Sequence, residues 1–92
     1  MIYSIHKTKQ FNKDLKTCIN RHYNIDLLEA VISDYLIKRI PLPEKYNDHP
    51  LKGSYDGDRD CHILSDWVLI YKVNDKDSII TMVRTGTHSD LF

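Results

Sequence analysis

Seven consecutive residues, Trp67-Val68-Leu69-Ile70-Tyr71-Lys72-Val73, restrict the fold of this chain more than any other segment. Successive side chains of a strand point to opposite faces. A run this apolar therefore presents hydrophobic groups on both sides, which places it centrally in a sheet. Asn74-Asp75-Lys76-Asp77 reads as a turn, and residues 78–84 as the next strand. Upstream, Leu51-Lys52-Gly53-Ser54 and residues 59–63 read as extended segments. Leu64-Ser65-Asp66 is so tight a connection that the strands it joins must run antiparallel.

The first half has a different period. Ile2-Tyr3-Ser4-Ile5 is a short β-branched and aromatic run, an expected first strand. Thr8 is placed to cap a helix on which Phe11, Leu15, Cys18, Ile19 and His22 share one face. A second helix is expected to start near Asn24 or Asp26, with Asp26 and Glu29 spaced as a capping box. Leu28, Val31, Ile32, Tyr35 and Leu36 form its stripe, and Pro41 terminates it. The expected architecture is α+β: a β-α-α-β-β-β order in which an amino-terminal strand and an antiparallel helical hairpin pack on one face of a small, mostly antiparallel sheet. Residues 1–92 are expected to form one domain, since no linker or repeat divides them.

Charge and composition narrow the function. Thirteen basic residues balance thirteen acidic ones, which argues against nucleic-acid binding by bulk electrostatics alone. No apolar run approaches the roughly 18 residues of a membrane span, and residues 1–7 hold no signal-peptide core. Cys18 and Cys61 are far apart and outside any CxxC pair, so they read as buried, reduced thiols and the expected compartment is the cytoplasm.

The chemistry gathers after Tyr46. His49 lies in Asp48-His49-Pro50, within a polar loop from Pro43 to Pro50. His62 lies in Asp60-Cys61-His62-Ile63, and His88 in Thr87-His88-Ser89. Histidine is the side chain that exchanges protons near neutral pH. Strand alternation puts Cys61 and Ile63 towards the core, with Asp60 and His62 on the opposite face, expected to be an open concave surface. Taken singly, each histidine is more often structural than catalytic.

Taken in order, Leu42-Pro43, Tyr46, Asp48-His49-Pro50-Leu51, Gly53-Ser54, Arg59-Asp60, His62, Asp66-Trp67, Leu69-Ile70-Tyr71-Lys72 and Arg84-Thr85-Gly86-Thr87-His88, with Leu91-Phe92 last, are more specific. This text resembles the YafQ-like branch of the RelE/ParE superfamily of bacterial type II toxins, over nearly the whole chain. The resemblance implies a RelE-like fold and a ribosome-dependent mRNA interferase. Such a toxin cuts mRNA in the ribosomal A site and is held inactive by a cognate antitoxin. It implies a toxin that is monomeric alone and hetero-oligomeric with the antitoxin, without cofactor or metal. The catalytic group it implies is His49, His62, Asp66 and His88, together with Phe92.

Metal-free RNA cleavage uses the substrate's 2′-hydroxyl as nucleophile. A base removes its proton, an acid protonates the leaving 5′-oxygen, and cationic or hydrogen-bonding groups stabilise the phosphorane. On this scheme His88 is the expected acid, Asp66 or His49 the base, and His62 an orienting or charge-stabilising group. Arg59 or Arg84 is expected to hold the phosphate, and Phe92 to stack on a base. Trp67 reads as core filler or as a wall beneath the substrate. Two other functions fit parts of the sequence: a ParE-like gyrase poison on the same scaffold, and a metal-binding hydrolase using the His/Asp cluster, although no HxH or HExxH spacing is present.

Overall fold

The computed structural model describes residues 2–92. Strand β1 (Ser4–Lys7) leads into helix α1 (Lys9–Asn20), and α2 (Ile25–Val31) runs on into a wide π-type turn at Ile32–Leu36. A two-residue strand β2 (His49–Pro50) precedes β3 (Arg59–Leu64), β4 (Trp67–Asn74) and β5 (Ile79–Gly86). A single-turn helix α3 (His88–Leu91) ends the chain. The five strands form one sheet in the order β1-β5-β4-β3-β2. Only the β1–β5 pairing is parallel; the other three are antiparallel. The α+β expectation stands, with the Trp67–Val73 run at the centre of the sheet.

Local signals explain most boundaries. The Thr8 side chain accepts the Phe11 amide at 2.9 Å and starts α1. Asn24, rather than an Asp26–Glu29 box, caps α2 by accepting the Asp26 amide at 3.1 Å. Both helices pack on one sheet face, α1 along β5 and α2 against β3. Phe11, Cys18, Leu28 and Val31 are buried there against Cys61, Ile63, Trp67, Leu69 and Tyr71. Both cysteines are free and buried. No helix among the described residues is long and apolar enough to cross a membrane.

Four expectations need correction. The first strand lies two residues later than Ile2–Ile5. All four of its residues are exposed, so pairing with β5, rather than apolar content, sets its position. Residues 51–54 are not extended: Gly53–Tyr55 is a 3-10 turn, and Gly53 has φ +70°, which favours glycine. The Pro43–Pro50 segment is more regular than expected, with a 3-10 turn at Glu44–Tyr46 followed by β2. The sheet face opposite the helices is not simply open either. Val68 and Ile70 are fully buried under Leu91, with Leu51, Tyr55 and Val83 around them.

Candidate active site

Strand alternation delivers the first two groups. Asp60 pairs across the sheet with Ile70 and His62 with Val68, so both project on the face away from the helices. Strand β2 adds the third, because its pairing sets His49 directly opposite Asp60. His49 Nε2 lies 2.7 Å from Asp60 Oδ1. The contact is not aligned as a hydrogen bond, and among the described residues that buried oxygen has no other donor. His49 Nδ1 is 3.2 Å from the carbonyl of Pro50, on the exposed side. Burial pushes the Asp60 carboxyl above its ordinary pKa, opposed by the nearby His49, then by His62 and His88.

The remaining groups come from two turns. Asp66 sits in the β3–β4 connection and His88 opens α3. One carboxylate oxygen of Asp66 contacts both the His88 amide, at 3.1 Å, and His88 Nδ1, at 2.8 Å. These two bonds, the ring first, hold Asp66 below the usual carboxylate range. An ionised carboxylate only accepts, so Nδ1 carries the proton and Nε2 is the nitrogen left for a substrate. The His62 and His88 rings stand edge to face with centroids 5.1 Å apart. Phe92 follows 6.1 Å from His88, and Tyr55 lies 5.5 Å from Phe92. His49, His62, Asp66, His88 and Phe92 are thus brought to one side of the molecule.

Three other expected residues are placed differently. Arg59 shares the parity of Cys61 and Ile63, and its guanidinium is tied to Asp48 at 3.0 Å on the helix-side face. Asp48 also accepts from the Tyr71 hydroxyl. Alternation thus turns Arg59 away from the histidines. Arg84 makes two 3.0 Å bonds to Asp14 of α1, so its charge is already matched. Trp67 is 2% exposed, packs on Tyr23 and donates its indole N–H to Thr85. It is core, with its indole N–H already taken by Thr85. Asp60 and Tyr55 are the site residues to which the sequence reading gave no role. The i, i+2 spacing of Asp60 and His62 was the available signal for the first; no local signal marks the second.

Shallow clefts flank the cluster. One of about 450 Å³ is lined by Leu27, Lys45, Tyr46, His62 and neighbouring residues of β3. Another of about 440 Å³ lies between Lys52, Ser54, Tyr55, Leu91 and Phe92. Residues 3–92 match the family described as the bacterial toxin of the type II toxin–antitoxin system, YafQ. This chain belongs to the YafQ family. The mRNA interferase toxin YafQ of Escherichia coli K12 is 43% identical over 83 residues, covering 90% of this chain and 88% of that protein. Among solved structures, the toxin of the E. coli DinJ–YafQ toxin–antitoxin complex superposes with a TM-score of 0.89 at 41% identity, covering 100% and 99% of the two chains. A metal-bound toxin from Helicobacter pylori superposes with a TM-score of 0.91 at 37% identity, covering 99% and 100%. As a member of the YafQ family, the chain is a type II toxin, and its histidine cluster is the candidate centre of that activity.

Proposed function

We propose that this YafQ-family toxin is an mRNA interferase that cuts mRNA in the ribosomal A site, without a metal, through the 2′-hydroxyl of the substrate. One observation carries the reading: two imidazoles, each in contact with a carboxylate, flank a third. In the proposed mechanism His88 is the general acid. It acts as the imidazolium: Asp66 accepts the Nδ1 proton, and Nε2 delivers the other to the leaving 5′-oxygen, leaving the neutral Nδ1–H ring. Asp66 is committed to orienting the acid, and we assign the base to His49: with its own proton on Nε2, facing Asp60, Nδ1 gives up the long Pro50 contact and takes the proton of the 2′-hydroxyl. His62, between the two, places positive charge at the phosphorane. Acid and base each contribute roughly 10²–10⁴-fold. The clefts on either side, with Lys45 and Lys52 at their rims, suit a single strand crossing the cluster, and Phe92, 61% exposed, suits stacking on a base.

The same reading includes partners. A cognate antitoxin neutralises the toxin, as DinJ accompanies YafQ in the E. coli complex, and the toxin alone is a cytoplasmic monomer. The deciding experiment is inducible expression of the wild type beside His88→Ala, with 5′ ends of cellular mRNA mapped by primer extension. In-frame cuts from the wild type alone support the proposal. Growth arrest by both proteins over intact mRNA would instead indicate a gyrase poison.

A second reading has its own observation. Ligand atoms of His49, Asp60 and His62 lie within 4.8 Å of one another, Asp60 Oδ1 lacks an aligned donor, and the H. pylori relative is a metal-bound toxin. Residue types and the orphaned oxygen fit a transition metal, although tetrahedral zinc ligands sit only about 3.3 Å apart, so the group must contract. A bound ion would supply Lewis-acid chemistry there. Stoichiometric zinc in purified protein, with cleavage abolished by a chelator and restored by zinc, would support this reading over metal-free catalysis.

A further inference from the structure

Helix α3 carries His88 at its start and Phe92 at its end, yet it is one turn long. A helix this short has no stability of its own, so its placement depends on outside contacts. Asp66 holds the His88 end. At the Phe92 end Leu91 is buried and its carbonyl accepts from the Tyr55 hydroxyl at 3.0 Å. Between them, Asp90 ties the turn back to its own start. Its carboxylate accepts the Thr87 amide at 2.9 Å, while its own amide donates to the Thr87 hydroxyl at 3.1 Å. Arg21, the residue that closes α1, reaches across and donates from Nη1 at 2.6 Å and Nη2 at 3.2 Å to the two oxygens of Asp90. Gly86 leaves room for this arrangement: a Cβ there would stand 2.8 Å from Asp90 Oδ2.

We propose that Arg21 and Asp90 form a latch between the helical hairpin and the carboxyl-terminal turn, fixing His88 and Phe92 in the geometry needed for cleavage. Both are positioning residues: they act through α3 and need not touch RNA. Paired surface charges often do little. This pair differs in being two-pronged, in joining residues distant in sequence, and in using the carboxylate that also caps the turn. Arg21 has a defined anchor, since its backbone amide bonds Thr17 at the end of α1. The path thus runs from a helix packed on β5, through one ion pair, to the proposed acid.

The catalytic half of the proposal rests on the mRNA-cleavage reading; the structural half does not. The test uses Arg21→Ala, Arg21→Lys and Asp90→Asn in the purified toxin. Amide exchange of residues 88–92 is followed in each, beside single-turnover cleavage of ribosome-bound mRNA. For Arg21→Ala we expect exchange at residues 88–92 to rise at least about tenfold, while amides in β4 keep their protection. The cleavage rate should fall roughly tenfold or more at saturating ribosomes, with half-saturation unchanged, as for a misplaced catalytic group. Arg21→Lys should recover part of both, and Asp90→Asn should reproduce the loss. Wild-type exchange at residues 88–92 in both Arg21→Ala and Asp90→Asn would overturn the latch. A half-saturation defect with an intact maximal rate would overturn it too, showing that Arg21 contacts RNA. A wild type that cuts no mRNA would refute the cleavage reading, while exchange would still decide the latch.

Discussion

At the scale of single residues, the site depends on a buried carboxylate with a histidine directly against it. Asp60 is 3% exposed, and its Oδ1 faces His49 without an aligned donor. Removing one partner of a buried polar contact leaves the other unsatisfied, at a cost of about 1–3 kcal/mol. We therefore expect His49→Ala to lose stability of that order as well as cleavage. His49→Ala with Asp60→Asn should regain most of the stability and none of the cleavage. Urea unfolding of the two variants checks this. Asp60 and His62 share a face by alternation alone, which is why their common placement was legible in the sequence. The identity of the residue opposite Asp60 was not, because strand register across a loop is set by tertiary pairing.

At the scale of elements, turns and caps do most of the positioning. Thr8 caps α1 and also donates its hydroxyl to the Val83 carbonyl of β5 at 2.8 Å, joining helix start to sheet. Thr8→Ala should cost about 1–2 kcal/mol, measured by thermal or urea unfolding, with little effect on cleavage, because Thr8 lies outside the histidine cluster. The Thr8 cap was visible in the sequence as a hydroxyl one residue ahead of an apolar-periodic run. Strand β2 was not visible. Two residues that include a proline carry no strand signature, and their pairing with β3 exists only because the polypeptide returns alongside it. Strand β1 was displaced for a related reason: its register comes from parallel pairing with Ile79–Met82, a partner far away in sequence.

At the scale of the whole molecule, carboxylates tie distant parts together and set the acid limit. Asp14 joins α1 to β5 through Arg84 and the Thr85 amide. Burial alone would raise its pKa, but the bonds from Arg84, Gln10 and Thr85 prevail and lower it. Asp66 and Asp90 are lowered as well, by His88 and Arg21 respectively. A carboxyl whose folded pKa lies below its unfolded value, about 4, contributes stability that is complete above that value. The contribution disappears as pH falls through the folded pKa. We therefore expect thermal midpoints to be flat on the acid side down to about pH 5 and to drop progressively below about pH 4. Asp60, raised rather than lowered, works in the opposite sense and should not sharpen that loss. Net charge supplies another whole-molecule expectation. With 13 basic and 13 acidic residues, binding to free single-stranded RNA should be weak, with a Kd above about 10⁻⁴ M at physiological salt. Fluorescence anisotropy with a short labelled oligonucleotide measures this.

The sequence by itself determined the periodicities: a central two-faced strand, a helical pair before it, Asp60 and His62 on one face, and a family resemblance spread over most of the chain. Those follow from local backbone geometry, in which side-chain direction repeats every two or 3.6 residues. Only the tertiary structure decided which charges meet. Arg59 faces Asp48, Arg84 faces Asp14 and Asp66 faces His88, across separations of 11, 70 and 22 residues. Such pairings depend on where packing brings remote segments together, and no local period encodes that. The two arginines expected at the phosphate were for this reason already engaged by carboxylates, while the histidines, delivered by alternation, β2 pairing and a capped turn, converged.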